Sequence, residues 1–199
     1  MAISPDKSPS TGLDPGSWLD RYGDLLFGYA FSRIRDRTLA EDLVQEALVA
    51  ALTAMHTFKG DSKESTWLVG ILRHKILDYL RKSSREQQGQ DDWRSLVEPE
   101  SNEFDEQGAW KRSIPEWSNP EKAAEQVEFW LVLNHCIDAL PEKLGTLYAL
   151  REIDDIDTDQ IADTLNISTK NNLWVMLSRA RRQMRSCLQS RWFEHESKR

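Results

Sequence analysis

The sequence predicts an all-α protein of two small helical domains, an N-terminal helical bundle and a C-terminal helix-turn-helix domain, joined by an acidic flexible linker. Apolar residues recur every three to four positions in two long stretches of the chain, and this periodicity stops between them. No alternating pattern typical of β-strands occurs. The composition, with 39% hydrophobic and 30% charged residues, also favours small, charge-rich helical units over one large core.

The N-terminal residues 1–16 are rich in Ser, Pro, Gly and Asp and contain no apolar signal core. We therefore expect a disordered tail. The longest apolar runs of the chain fall far short of the roughly 20 residues that cross a bilayer. These features predict a cytoplasmic protein without membrane insertion.

The N-terminal domain, residues 17–83, is predicted to be helical almost throughout. Its apolar side chains follow the helical period in three segments, around Leu26, Leu43 and Leu72. Breaks are expected at 36–38 and at 59–62, where Gly60 and Asp61 supply turn chemistry. The domain is therefore expected to contain three main helices.

The segment 84–120 lacks periodicity and is predicted to be the linker. Residues 83–128 hold 12 acidic and 5 basic side chains, so this region carries the whole net charge of −7. Isolated aromatic residues occur within it, at Trp93, Phe104, Trp110 and Trp117. Two interpretations stay open: a solubilising linker, or a mobile polyanion that covers basic faces of the two domains.

The C-terminal domain, residues 121–199, is predicted to contain helices at 121–139, from Pro141 to 153, at 158–165 and at 170–188. The last two, with Asn166 in the turn and Ser168 or Thr169 as a helix cap, have the pattern of a helix-turn-helix. Residues 170–199 carry 8 basic and 2 acidic side chains, which favours a nucleic-acid face. An ordinary helical hairpin would show a similar pattern.

The two cysteines, Cys136 and Cys187, each lie within a helical pattern, and no Cys-x-x-Cys pair occurs. We expect buried or half-buried free thiols rather than a disulfide or a metal site. The chain also lacks a glycine-rich phosphate loop, a nucleophile triad and a metal-ligand set. These observations predict a non-catalytic protein with no cofactor, no metal and no catalytic residue.

The string Ala-Glu-Asp-Leu-Val-Gln-Glu at 40–46 begins a helix with one polar face. Leu43 and Ala47 are expected to face inward, and the opposite side carries Asp42, Gln45, Glu46 and Val49. Taken alone, this pattern describes a solvated face. The string resembles the helix by which bacterial sigma factors bind the β′ clamp helices of RNA polymerase. The resemblance implies that these four residues contact core polymerase.

The string Phe-Lys-Gly-Asp at 58–61, followed by Ser-Thr-Trp-Leu at 65–68 and Ile-Leu-Arg-His-Lys at 71–75, resembles the minus-ten recognition and melting segment of the same family. Residues 63–85 hold 6 basic and 2 acidic side chains, which suits single-strand binding. For Trp67, stacking at the upstream edge of the melted region and packing in the core both stay open. The resemblance implies minus-ten contacts by Phe58, Lys59, Trp67, Arg73, His74 and Lys75.

The strings Leu-Pro-Glu at 140–142, Leu-Arg-Glu-Ile at 150–153, Asn-Ile-Ser at 166–168 and Leu-Ser-Arg-Ala-Arg at 177–181 resemble the promoter-reading C-terminal domain of extracytoplasmic-function sigma factors. That resemblance implies packing on the polymerase β flap and minus-thirty-five contacts by Lys170, Asn171, Asn172, Trp174, Arg179, Arg181 and Arg182. The family usually has a Gly-Thr-Val-Lys-Ser-Arg-like string where this chain has Asn-Asn-Leu-Trp-Val-Met, at 171–176. An amide can bond adenine in two places, but which base the asparagines read stays open.

Together these motifs resemble an extracytoplasmic-function, or group four, sigma factor over residues 17–83 and 121–190. The resemblance implies core RNA polymerase, promoter DNA and an anti-sigma factor as partners. The alternative is a stand-alone helix-turn-helix transcriptional regulator. That alternative explains the C-terminal half of the chain but not the string at 40–46.

Overall fold

The computed structural model describes residues 13–86 and 127–193. The first twelve residues of the predicted tail, the predicted linker from residue 87 onward and the beginning of the predicted C-terminal domain lie outside the described residues. The chain divides into two compact units, Met1–Tyr79 and Leu80–Arg199. The described residues form helices with short connections and contain no strand, so the all-α prediction is confirmed.

The first unit contains α1 (Trp18–Ile34), α2 (Arg37–Ala54) and most of α3, which runs from Glu64 to Glu86. Short 3-10 turns precede α1 at Pro15–Ser17 and follow α2 at Met55–Thr57. Helix α1 packs against α2. The core side chains of the unit include Leu26 and Ala30 of α1, Leu43, Ala47 and Ala51 of α2, and Leu68, Leu72 and Ile76 of α3.

The break between α1 and α2 falls at residues 35 and 36, slightly before the predicted position. Arg35 adopts a left-handed conformation with φ of 60°, and its backbone N–H donates to the carbonyl of Phe31. Asp36 then caps α2, because its side chain accepts a hydrogen bond of 3.0 Å from the backbone N–H of Leu39. Arg35 thus ends one helix and Asp36 begins the next, which reverses the chain within two residues.

The second unit contains α4 (Val127–Asp138), α5 (Glu142–Tyr148), α6 (Thr158–Leu165) and α7 (Lys170–Leu188). The predicted helix from Pro141 to 153 changes character after Tyr148 and continues as a π-helical turn, Ala149–Ile153. A second π-helical turn, Gln189–Phe193, follows α7. Helix α7 is the centre of the unit, since it packs against α4, α5 and α6.

Helices α6 and α7 form the helix-turn-helix over the predicted ranges. Asn166 ends α6 in the left-handed region, at φ 52° and ψ 42°, and the backbone N–H of Ile167 donates to the carbonyl of Ala162. Thr169 begins α7 by accepting a hydrogen bond of 3.1 Å from the backbone N–H of Asn172. Of the two caps predicted for this helix, Thr169 is the one used.

The prediction of free thiols is wrong. Cys136, in the last turn of α4, forms a disulfide with Cys187, in the last turn of α7, and the two Cα atoms are 5.7 Å apart. The packing of α4 on α7 brings these ends together across 51 residues of sequence. Among the residues that the structure describes, no cluster of side chains could hold a metal ion. No helix in the described ranges is long and apolar enough to cross a membrane.

Candidate polymerase and nucleic-acid interfaces

One face of α2 is mostly polar and exposed to solvent. Asp42, Gln45, Glu46 and Val49 are all exposed, and they follow the three- and four-residue spacing that places them on one side of the helix. Val49 is 64% exposed, although it is apolar. The opposite side is buried in the core. The four residues that the sequence predicts for polymerase binding therefore lie together on one accessible surface, which we call the α2 face.

The α2 face is joined to α3 by one ion pair. The Nζ atom of Lys75 lies 3.4 Å from Oε2 of Glu46, and both side chains are partly exposed. Exposed pairs of this kind contribute about 0–1 kcal/mol, so either residue can be released to another partner. The sequence placed Glu46 and Lys75 on separate interfaces, and the packing of α3 beside α2 puts them in contact.

Phe58, in the connection that leads to α3, and Trp67, in the first turn of α3, form an aromatic pair. Their ring centroids are 5.3 Å apart, and the connection between α2 and α3 turns at Gly60, which has φ of 78°. Beneath them, the buried Trp18 meets Trp67 edge-on, with centroids 6.0 Å apart. Trp67 itself is half-buried. It therefore has one side in the core and part of its ring accessible, a position compatible with both sequence interpretations.

Glu64, the first residue of α3, fixes this aromatic layer from the side. Its two carboxylate oxygens accept hydrogen bonds from Nε1 of Trp18, at 2.6 Å, and from the hydroxyl of Tyr22, at 2.9 Å. The hydrogen bond to Glu64, more than burial, raises the pKa of Tyr22. Sequence reasoning missed this network, because α1 and α3 meet only through tertiary packing.

The other residues predicted for minus-ten DNA differ in their exposure. Lys59 and His74 are exposed, whereas Arg73 and Lys75 are half-buried. Consecutive helical residues point about 100° apart, so Arg73, His74 and Lys75 cover a broad arc of α3 rather than one line. The structure thus brings Phe58 and Trp67 together and spreads the cations over the neighbouring surface.

The N-terminal turn of α7 carries the predicted minus-thirty-five residues Lys170, Asn171 and Asn172. Lys170 and Asn171 are exposed, and Nδ2 of the half-buried Asn172 donates to Oγ of Ser168 at 3.3 Å. Nζ of Lys170 lies 2.6 Å from Oδ1 of Asp159, and this hydrogen bond raises the pKa of Lys170. Asp159 therefore holds the Lys170 ammonium at the surface of the first turn.

Two side chains further along α7 replace the cations usual in the resembled family, and they differ in position. Met176 is completely buried in the core of the unit, so its side chain is unavailable to a ligand in this conformation. Trp174 is half-buried and retains some accessible surface. Of these two positions, Trp174 is therefore the one that a ligand could reach.

The arginines of α7 are less exposed than Lys170. Nη2 and Nε of Arg181 donate to one carboxylate oxygen of Glu152, at 2.7 and 3.1 Å. Burial, and secondarily the Glu152 carboxylate, raises the pKa of the neighbouring Tyr148 to about 12. Arg179 and Arg182 are half-buried. Arg181 is thus engaged within its own unit.

Comparison with known families identifies both units. Residues 18–86 match the model of Sigma-70 region 2, and residues 131–184 match the model of Sigma-70, region 4. The first match contains the α2 face and the aromatic pair on α3. The second contains the helix-turn-helix and one partner of the Cys136–Cys187 disulfide.

Similar proteins carry the same description. A probable RNA polymerase sigma factor of Haemophilus influenzae is 36% identical over 168 residues, which cover 80% of this chain and 82% of the relative. The ECF RNA polymerase sigma-E factor of Escherichia coli K12 is 34% identical over 121 residues, 61% of this chain and 59% of the relative. A solved structure of the sigma factor RpoE in complex with the anti-sigma factor NepR, from Bartonella quintana, aligns with a TM-score of 0.43 and 20% identity, covering 88% and 97% of the two chains.

Proposed function

Because the chain belongs to the sigma-70 family, as an RNA polymerase sigma factor of the extracytoplasmic-function type that acts in promoter recognition and transcription initiation, we propose a role for each of its surfaces. The α2 face binds core polymerase. The aromatic pair on α3 and the cations around it bind the minus-ten element. The first turn of α7 reads the minus-thirty-five element.

The α2 face carries the proposal for polymerase binding. Two carboxylates, one amide and one valine lie exposed on a single helical surface, and Glu46 is held there by its exposed ion pair with Lys75. Carboxylates at this spacing complement basic groups, and Val49 provides apolar area at the centre of a contact. We assign the β′ clamp helices of core RNA polymerase as the partner, on the resemblance of residues 40–46.

The aromatic pair on α3 carries the proposal for promoter opening. Single strands bind where cations follow the backbone and aromatic rings accept unstacked bases. Phe58 and the accessible part of Trp67 provide the rings, and Lys59, Arg73, His74 and Lys75 provide the neighbouring charge or hydrogen-bonding groups. A base that leaves the duplex would stack on Trp67, supported from below by Trp18 and Glu64.

Replacing Trp67 by alanine is expected to slow open-complex formation. Loss of stacking on one base removes about 1–3 kcal/mol, so the rate should fall roughly 5- to 150-fold while the initial closed complex forms normally. Stopped-flow measurements on holoenzyme, with a fluorescent base in the minus-ten element, follow this step. Unfolding of the variant, seen by circular dichroism, would instead favour the core interpretation of Trp67.

Trp18→Phe provides the matched control for that experiment. It keeps an aromatic ring in the core, and it removes the N–H that bonds Glu64 together with part of the buried indole ring. We expect a lower melting temperature with an opening rate close to that of the wild-type protein. If Trp18→Phe slowed opening as much as Trp67→Ala, the effect would come from support of the layer rather than from stacking.

The first turn of α7 carries the proposal for minus-thirty-five recognition. Asn171 and Asn172 offer amides that can bond base edges in the major groove, and Lys170 and the half-buried Arg182 offer charge for phosphates. Arg179 and Arg181 contribute charge from positions nearer the centre of the unit. Contact with the β flap of polymerase is assigned to this second unit on resemblance alone.

Substitutions at Asn172 and Arg182 are expected to affect DNA binding differently. Asn172→Ala should change the preferred minus-thirty-five sequence, because a base contact of this kind is worth about 1–3 kcal/mol of discrimination. Arg182→Ala should weaken binding to all sequences alike and reduce the salt dependence by about one ion. Selection from randomised promoters by each holoenzyme measures the preference. The same altered motif from both variants would contradict this division.

We further infer that the protein is non-catalytic and acts in the cytoplasm, where polymerase and chromosome meet. An anti-sigma factor is proposed as its regulator, since the Bartonella quintana RpoE protein forms such a complex. Co-purification from cells with a tagged copy, followed by mass spectrometry, tests for core polymerase and an anti-sigma factor together.

A further inference from the structure

The Cys136–Cys187 disulfide lies beside an open cavity of about 330 Å³ on the second unit. The two cysteines line this cavity together with Gln183, Ser186, Ser190 and Arg191. The cysteines differ in access. Cys136 is 1% exposed, whereas Cys187 is half-buried and reaches the surface. Of the two residues, Cys187 is therefore the more accessible to a small thiol that enters the cavity.

The proposed function makes this bond unusual. A sigma factor acts with polymerase on DNA in a reducing compartment, where disulfides are rare and mostly transient or redox-sensing. The cavity is also suited to a thiolate. Arg191 brings a positive charge to its wall, and cationic surroundings favour the charged form of a thiol.

We propose that the Cys136–Cys187 disulfide is a thiol–disulfide exchange site, at which a cellular dithiol reduces the bond through attack on Cys187, and that its redox state sets how firmly α7 is held. The part that concerns α7 and DNA rests on the function proposed above. The chemistry of the exchange site does not depend on it.

The exchange is balanced in two steps. A thiolate of the dithiol attacks Sγ of Cys187, a new S–S bond forms, and the electron pair of the broken bond goes to Sγ of Cys136, which takes a proton from water. The second thiol of the reductant then attacks the mixed disulfide and releases Cys187 as a thiolate, which is protonated in turn. The dithiol is oxidised by two electrons to its disulfide, and the two cysteines become thiols. Oxidised glutathione can run the reverse reaction.

The disulfide is one of two connections between α4 and the C-terminal part of α7 with the turn that follows it. Near the C-terminus of α4 the disulfide holds the helix, and near its N-terminus the ring of Phe129 packs on that of Trp192, with centroids 5.5 Å apart. Reduction removes the first connection and leaves the second, together with the buried Met184 and Leu188 of α7. The reduced unit should therefore remain folded but hold α7 less firmly.

The chemical test uses the full chain and its single-cysteine variants. Oxidised glutathione should modify Cys187 in Cys136→Ala, and modify Cys136 in Cys187→Ala on the order of tenfold more slowly, because that sulfur is buried. Intact-mass spectrometry follows both reactions. Equal rates would overturn the assignment of Cys187 as the attacked sulfur.

The redox test uses the wild-type chain without denaturant. Dithiothreitol should reduce the bond with both thiols appearing together, whereas reduced glutathione should also give a detectable mixed disulfide at Cys187. Alkylation and mass spectrometry distinguish these products. Reduction that required urea, or free thiols in the air-oxidised protein, would overturn the proposal.

The functional test compares oxidised and reduced holoenzyme on a promoter with both elements. We expect reduction to lower the melting temperature of the second unit by roughly 15 °C or more, and to weaken promoter binding roughly threefold or more. Cys136→Ala/Cys187→Ala should behave as the reduced protein under either condition. Equal binding by both redox forms would overturn the link to α7. Failure of both forms to bind any promoter would count against the proposed function, while the exchange reactions would still be measured.

Discussion

Replacing both Asp42 and Glu46 by lysine is expected to abolish assembly with core RNA polymerase while leaving the first unit folded. Both side chains lie on the exposed α2 face, so the substitutions bury nothing and open no cavity. Interface charge pairs that lose their partner typically cost about 2–5 kcal/mol each, and the double reversal should therefore weaken binding about a thousandfold or more. Gel filtration with purified core polymerase measures the loss.

Stability should change little in the same variant. The one ion pair that the substitutions break is that between Glu46 and Lys75, and an exposed pair contributes about 0–1 kcal/mol. Lys75→Ala removes that pair while keeping the α2 face, so it separates the two effects. Asp20→Lys/Asp24→Lys is a second control, since it reverses two exposed charges at the same spacing on α1. If the Asp42→Lys/Glu46→Lys variant bound core polymerase with wild-type affinity, the α2 face would not be the polymerase-binding surface.

Replacing both cysteines by alanine is expected to lower the free energy of unfolding of the second unit by about 4 kcal/mol. The disulfide closes a loop of 51 residues. A cross-link that closes a loop of this length lowers the conformational entropy of the unfolded chain, which stabilises the folded state by about 4 kcal/mol. Alanine is preferred to serine, because a hydroxyl at the buried position 136 would have no water to form a hydrogen bond with and would itself be destabilising. Urea unfolding followed by circular dichroism measures the change.

The single variants provide the control. Either Cys136→Ala or Cys187→Ala already removes the whole cross-link, so each should cost nearly as much as the double variant. The free energy of unfolding of the reduced wild-type protein should equal that of the two single variants and the double variant. Additive single effects, or no difference between oxidised and reduced protein, would show that the cysteines contribute through packing alone.

The local features of the fold could be predicted from the sequence because their causes are local. Helices 158–165 and 170–188 appear at the predicted positions, since Asn166 and Thr169 supply the turn and the cap within a few residues of the helices that they join. The exposure of Asp42, Gln45 and Glu46 follows equally from helical spacing on one segment. Such features require no knowledge of how helices pack.

The features that sequence reasoning missed depend on which helices meet. Cys136 and Cys187 are far apart in the chain, and only the packing of α4 on α7 brings their Cα atoms within 5.7 Å. Their shared position in the last turn of a helix was a signal that could have suggested a pairing. The hydrogen bond from Trp18 to Glu64 likewise joins residues of two helices that are 46 positions apart in the sequence, and no motif indicates it.

Ion pairs within the second unit also change the interpretation of two basic residues on α7. The sequence assigned Lys170 and Arg181 to DNA by charge and resemblance, but each has an acidic partner in its own unit, Asp159 and Glu152 respectively. The pair with Lys170 is exposed and can be exchanged for a phosphate at little cost. The side chains of the pair with Arg181 are only 22% and 30% exposed, which favours a role in holding the π-helical turn after α5 to α7.

We propose that this chain recognises promoters only as part of RNA polymerase. The most direct measurement is a footprint on a promoter carrying both elements, with the chain alone, with core polymerase alone and with the two together, followed by run-off transcription. We expect protection of both elements and a specific transcript only from the combined proteins. A footprint from the chain alone, unaffected by core polymerase and without transcription, would contradict the account and identify a stand-alone DNA-binding regulator instead.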